Sequence, residues 1–397
     1  MAGTRREFIG MGVGAAAVVG LGAAFWDDVF GAARSAASSP RTGYGPRRAA
    51  NEHGLRLPEG FQSRLIARGD EAVPGTDYRW HLASDGMATF PAGDGGWVLV
   101  SNSETLVGGA SAVRFDPRGR AERAYRILEG TSQNCSGGGT PWGTWLSCEE
   151  LQGGYVWECD PAGKRRAVRH AAMGSFKHEA AAVDPRGRRV YMTEDLMDGR
   201  LYRFTPARWR DLSEGLLEVA TVARGGRVRW TEVPDPSARH VDTRKQVRGS
   251  SRFKRAEGIW HDDGIVYIAT TGDDRVYAYD IRRERIDVIY DGLGQEGYAP
   301  LMRVDQLTAN RAGEVFVCED IATEEIDIGL IDRRGRVSKF LSATGPIHAG
   351  SELTGVTFDP SGSRMYFSSQ RAYGKNDGLP GPGAIYEVSG PFRGARA

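Results

Sequence analysis

Six times between residues 96 and 370 the chain runs through a short apolar stretch and stops on an acid or an amide. The runs are Gly96-Trp-Val-Leu-Val-Ser-Asn-Ser-Glu104, Gly143-Thr-Trp-Leu-Ser-Cys-Glu-Glu150, Arg189-Val-Tyr-Met-Thr-Glu-Asp195, Ile265-Val-Tyr-Ile-Ala-Thr-Thr-Gly-Asp273, Glu314-Val-Phe-Val-Cys-Glu-Asp320 and Arg364-Met-Tyr-Phe-Ser-Ser-Gln370. Val, Tyr, Phe and Trp dominate them. Turns such as Asp184-Pro-Arg-Gly and Asp359-Pro-Ser-Gly precede several, so each reads as a strand entered through a hairpin. Further strands follow, for example Arg200-Leu-Tyr-Arg-Phe204, Arg275-Val-Tyr-Ala-Tyr279 and Ala384-Ile-Tyr-Glu-Val388. Copies at a period of about 45 to 50 residues, with up to four strands each, define a β-propeller. The sequence therefore predicts an all-β, six-bladed propeller with inner strands beginning near Asp85, Asn134, His178, Glu257, Asp305 and Glu352. An insertion over 207–254 separates the third and fourth blades. Its polar, basic part, from Pro234 to Arg255, reads as a loop or lid over one face.

Few long amphipathic segments and 54 glycines among 397 residues agree with an all-β chain. The net charge of +1 gives no argument for nucleic acid or a membrane surface as partner. Ahead of the repeats, Thr4-Arg-Arg-Glu-Phe-Ile9 and the Gly/Ala-rich run to Trp26 form a twin-arginine pattern. Residues 1–37 are expected to be a Tat export signal, 38–60 a linker, and 61–397 the propeller. The expected location is outside the cytoplasm: periplasmic, cell-surface or secreted, with the Tat machinery as export partner and no stable membrane span. Four cysteines (135, 148, 159, 318) are present, none in a CxxC spacing, so a zinc ribbon is not indicated. A Cys148–Cys159 disulfide is open in an oxidising compartment.

The propeller geometry predicts where chemistry gathers. The second strand of each blade is antiparallel to the first, so the start of one and the end of the other share one mouth of the central channel. That places Asp85, Cys135, His178, Glu179, Glu257, Asp305 and Glu352 in a ring with Asn102, Glu104, Glu149, Glu150, Glu194, Asp195, Asp273, Asp274, Glu319 and Asp320. So many carboxylates repel one another unless cations neutralise them. Carboxylate and amide oxygens suit calcium, and a thiolate suits a softer metal such as iron. Cys135 stands beside Gly137-Gly138-Gly139, where backbone can approach a ligand closely. His178 reads as a packing residue. Arg255 sets a cation beside the ring, which suits an anionic substrate.

At these residues the chain resembles the PhoX-type alkaline phosphatase family. The resemblance is carried by Arg5-Arg6 with Phe8, Asp85-Gly-Met, Asn102-Ser-Glu104, the block from Cys135 to Glu150, Phe176-Lys-His-Glu179, Tyr191-Met-Thr-Glu-Asp195, Arg255-Ala-Glu257 and Val317-Cys-Glu-Asp320. It implies a propeller, an extracytoplasmic hydrolase of small-molecule phosphoesters, and a centre containing iron and calcium. It implies Cys135, Glu150, Glu179 and Glu257 as iron-side ligands, and Asn102, Glu104, Glu149, Glu194, Asp305 and Glu319 as positions for calcium. Arg255 is the implied phosphate contact, and Cys135 with Arg255 the catalytic pair. Two other classes remain open from the residues alone: a calcium-dependent lactonase or esterase, and a non-catalytic calcium-binding propeller. Neither needs Cys135.

Overall fold

The computed structural model describes residues 43–294, 299–374 and 380–396; the expected export signal lies outside them. Among the described residues no helix is long and apolar enough to cross a membrane. Six antiparallel sheets of four or five strands form the blades of a propeller. Their inner strands are Ser84–Pro91, Asn134–Gly139, His178–Asp184, Ala256–Asp262, Val304–Ala309 and Leu353–Phe358, each within a residue or two of the start expected from the repeat. Inner strands of neighbouring blades pack on one another around the channel. The core is correspondingly divided into six apolar layers, one between each pair of adjacent sheets.

Closure uses the N-terminal side of the chain. Gln62–Arg68 pairs with Ala384–Ser389 as the outer strand of blade 6. Residues 43–60, expected as linker, are also part of the fold. Leu55–Arg56 adds a fifth strand to blade 5, and Leu55 and Leu57 are buried. Two apolar residues spaced by two mark a half-buried strand, a signal that the polar composition around them masks. Just beyond, Phe61 packs its ring 5.1 Å from Phe340, 4.9 Å from Phe392 and 5.2 Å from Tyr44. Phe61→Ala is expected to cost about 3–5 kcal/mol, because it opens a cavity where three chain segments meet; denaturant unfolding measures it.

The insertion divides in two. Its first part extends blade 3 with the long strand Asp211–Val222 and a fifth strand, Val228–Glu232. Its second part, 234–254, lies along the mouth-side turn of the same blade. Phe253 N donates to Gly199 O, and Ser251 N to Ala220 O. Arg244, on the helical turn Thr243–Gln246, reaches Glu194 and Asp198. The segment delivers Arg255 to the mouth, with Arg255 N donating to Leu196 O.

All four cysteines are free and buried. Cys148 faces the layer between blades 2 and 3, Cys159 the layer between blades 1 and 2, so they lie on opposite faces of one sheet and form no disulfide.

Candidate active site

Every inner strand carries a β-bulge near its start. In blade 1 the pairing passes from Ser84↔Ser103 to Met87↔Ser101, three residues against two. The same step follows Asn134, His178, Ala256 and Val304 in the next four blades, and comes one residue later, after Thr354, in blade 6. A bulge breaks the alternation of side chains and re-aims the extra residue. In blades 1 to 5 that residue is Asp85, Cys135, Glu179, Glu257 or Asp305. Their side chains meet at the mouth. The ligand atoms of Asp85, Glu104 and Cys135 lie within 4.8 Å of one another, as do those of Cys135, Glu150 and Glu179, and those of Glu179, Glu257 and Asp305. Cys135 and Glu179 each belong to two of these sets.

The glycines after Cys135 serve the packing of backbones. A Cβ on Gly137 would stand 1.9 Å from Leu146 O, and one on Gly138 would stand 1.8 Å from Ala181 O in the next blade. Gly137 thus admits the second strand of its own blade and Gly138 the inner strand of blade 3.

Strand alternation sorts the acids at the ends of the second strands. Glu104, Glu150 and Asp320, one step past the last paired residue, line a cavity of about 290 Å³ with Asp85, Cys135, Glu257, Asp305, Glu352, Arg255, Arg303 and Arg371. The preceding residues do not line it. Glu149 accepts from Ser132 N and Tyr155 N, and Glu319 from Met302 N at 2.8 Å and Asp327 N at 2.9 Å, so both cap backbone. Glu194 accepts from Tyr202 Oη at 3.0 Å and faces Arg244, anchoring the insertion. Asn102 is saturated: its Nδ2 donates to Cys135 O and Ser136 O, and its Oδ1 accepts from Trp145 Nε1 and Ser147 Oγ. Four of the positions expected to hold metal thus brace the loops and strands around the cavity. His178 stacks on Phe176, as its packing role predicts.

Several participants were not singled out from sequence. Lys177 Nζ binds Glu150 at 2.7 Å and Asp195 at 3.0 Å. Gln370 Nε2 donates to Asp85 and to Glu104. Gln306 closes the floor, donating to Glu179 Oε1 at 2.9 Å and accepting from Ser136 Oγ at 2.9 Å. An amide has no charge to announce it, and only the bulge register could have flagged Gln306.

The electrostatics are lopsided. Seven carboxylates and three guanidiniums line the cavity. Burial, then the Glu104 charge, pushes Asp85 up to about 7, and the same two causes push Glu150 up to about 9. Glu179, Glu257 and Asp305 are raised well above the carboxylate range by burial and by their acidic neighbours. Glu179 Oε2 is buried with no hydrogen-bond partner, and Glu257 Oε1 lies 2.7 Å from Arg255 Nη2 outside hydrogen-bond geometry. Buried polar atoms are normally satisfied, and buried charge is normally paired or bound to metal. Orphaned carboxylate oxygens around one thiol form a donor set that fits cations of mixed hardness.

Fold and site together define a six-bladed propeller with an acid-lined candidate metal centre at one mouth of its channel. The family model for alkaline phosphatase PhoX matches residues 105–153 and 151–372, more than half of the chain. The chain belongs to the PhoX alkaline phosphatase family, and it is a phosphoric ester hydrolase. Among solved structures it is similar to Pseudomonas fluorescens PhoX in complex with vanadate, at 19% identity and a TM-score of 0.73, covering 89% of this chain and all of that one. It is also similar in fold to a protein of unknown function from Bacteroides thetaiotaomicron, at 12% identity and a TM-score of 0.51, covering 87% of this chain and 83% of that one. No curated protein matches it in sequence.

Proposed function

We propose that the protein hydrolyses small phosphoesters outside the cytoplasm, using iron and calcium held at the propeller mouth. The observation that carries this reading is the chain of three overlapping ligand sets, joined through Cys135 and Glu179. Cys135, Glu150, Glu179 and Glu257 would hold iron, the metal that accepts a thiolate. Asp85, Glu104 and Asp305 supply hard oxygens for calcium. When bound, such ions supply positive charge to phosphoryl oxygens and activate an oxygen nucleophile near neutral pH.

The chain's own groups have distinct tasks. Arg255 lines the cavity with Nε and Nη2 on Asp195 at 2.9 and 3.4 Å and Nη2 beside Glu257 at 2.7 Å, so the guanidinium is fixed and its Nη1 side is left to meet phosphate oxygens. Lys177 spans Glu150 and Asp195 and offsets the charge behind that arginine. The Ser136–Gln306–Glu179 hydrogen bonds hold Glu179 in place at the channel floor. Similarity to a relative described in complex with vanadate, a transition state analogue, supports phosphoryl transfer as the reaction. The twin-arginine pattern supports export.

Elemental analysis of the folded protein, with p-nitrophenyl phosphate hydrolysis assayed on the same sample before and after chelation, tests the reading. Iron and calcium together, with hydrolysis lost on chelation, are expected. Hydrolysis that survives complete metal removal, or calcium without iron and without hydrolysis, overturns it.

A further inference from the structure

We infer that Arg303 and Arg371 form a second anion subsite beside Arg255, selecting phosphoesters that carry another negatively charged group. The inference rests on the reading that Arg255 meets the reacting phosphate.

The residue preceding the inner strand is left-handed in four blades: Ala83 (φ 45°), Gln133 (46°), Arg255 (47°) and Arg303 (50°). The conformation therefore belongs to the propeller and not to the chemistry. In blades 4 and 5, however, the residue in that position is arginine, and both side chains line the cavity. Their bonding is alike. Arg255 Nε donates to Asp195 at 2.9 Å, and Arg303 Nη2 to Asp320 Oδ2 at 2.9 Å. The same Asp320 oxygen lies 3.8 Å from Arg255 Nη1, so one carboxylate joins the two guanidiniums. Arg371, on the mouth-side turn of blade 6, continues the arc, 3.6 Å from Glu352. A guanidinium has five donors, more than one carboxylate uses. Arg303 and Arg371 are 48% and 45% exposed, against 30% for Arg255, so they stand nearer the entrance.

Carboxylates line the cavity on both sides, Asp85, Glu104 and Glu150 in blades 1 and 2 and Glu257, Asp305, Asp320 and Glu352 in blades 4 to 6, but the three lining guanidiniums all belong to blades 4 to 6. A substrate with its phosphate against Arg255 and a second anionic group therefore meets further guanidinium donors over blades 5 and 6. A tie to Asp320 alone would explain Arg303 as a brace. It would not explain a third arginine beyond it at the same mouth.

Matched substrates test this: glycerol 3-phosphate, and phosphoglycerate phosphorylated on the same terminal carbon, which adds a carboxylate to the triose skeleton. Phosphate release by the metal-loaded protein gives KM and kcat for each ester. Arg303→Gln is expected to weaken binding of the carboxylated ester selectively, raising its KM relative to that for glycerol phosphate by about tenfold, with a smaller rise for Arg371→Gln. Arg303→Lys, which keeps the charge, is expected to recover part of that selectivity. An unchanged KM ratio in folded Arg303→Gln overturns the subsite while leaving the phosphatase reading intact. Wild-type protein that hydrolyses neither ester overturns that reading, and the subsite with it.

Discussion

Replacing Cys135 with alanine is expected to remove bound iron and hydrolysis together, with a loss in rate of about a thousandfold or more. The thiol lies at the bulge of the blade 2 inner strand, shares two of the three ligand sets, and donates to Glu179 Oε1 at 3.3 Å. Burial, with the charges of Asp85, Glu179, Glu150 and Glu104, holds it well above the usual thiol range. A thiol in that setting is no nucleophile at neutral pH; a bound cation is what would draw off its proton. Removing it therefore deletes the soft ligand and leaves the oxygen ligands in place. Calcium should be retained and the fold should survive, because Cys135 is a small side chain at the edge of a cavity. Iron and calcium contents, measured beside p-nitrophenyl phosphate hydrolysis, decide the matter. Full activity in an iron-free Cys135→Ala protein would sink the assignment.

Stripping the metals is expected to make stability fall steeply as pH rises. Asp85 and Glu150 are raised in the folded chain, to about 7 and about 9, from ordinary values of 3.8 and 4.5. A carboxyl group whose folded pKa lies above its unfolded one binds more protons when native. Its folded form is then unpenalised below the unfolded pKa and loses stability as pH climbs to the folded one. For these groups the window runs from about pH 4 to about pH 9, and Glu179, Glu257 and Asp305 act in the same direction. The expected consequence is a Tm for stripped protein about 10 °C lower at pH 9 than at pH 5. Metal-loaded protein should show a flatter profile, because bound cations keep the same carboxylates ionised at little cost. Thermal unfolding across that range, with and without chelation, tests the point, and parallel curves for the two forms would contradict it.

The repeat made the inner strands legible because each second strand announces itself by aromatic and β-branched residues ending on an acid or amide. The mouth was legible for the same reason, since antiparallel order alone puts Asp85 and Glu150 at one end. What sequence reading blurred was parity. Glu149 and Glu150 are adjacent in the chain, yet only Glu150 lines the cavity, while Glu149 caps backbone; Glu319 and Asp320 divide the same way. A period of two would have separated them. On the inner strands the bulge supplies the aim, and a bulge has no composition signal of its own when the residues after it are as varied as Gly86, Ser136, Ala180 and Gln306. Arg303 carries no signal in the sequence, because its resemblance to Arg255 is one of place, visible only once the blades are superposed in order.

Ring closure by Gln62–Arg68 against Ala384–Ser389 makes the fold a test of completeness. The closing strand is made early by the ribosome, but its partner arrives among the last residues. Until then blade 6 is an open edge and Gln62–Arg68 has nothing to latch. A prematurely terminated chain stays unsealed however well its first five blades have formed. Truncation anywhere before Ala384 thus leaves the first strand of the ring without the partner that holds it, so a loss at one end of the propeller is felt at the other.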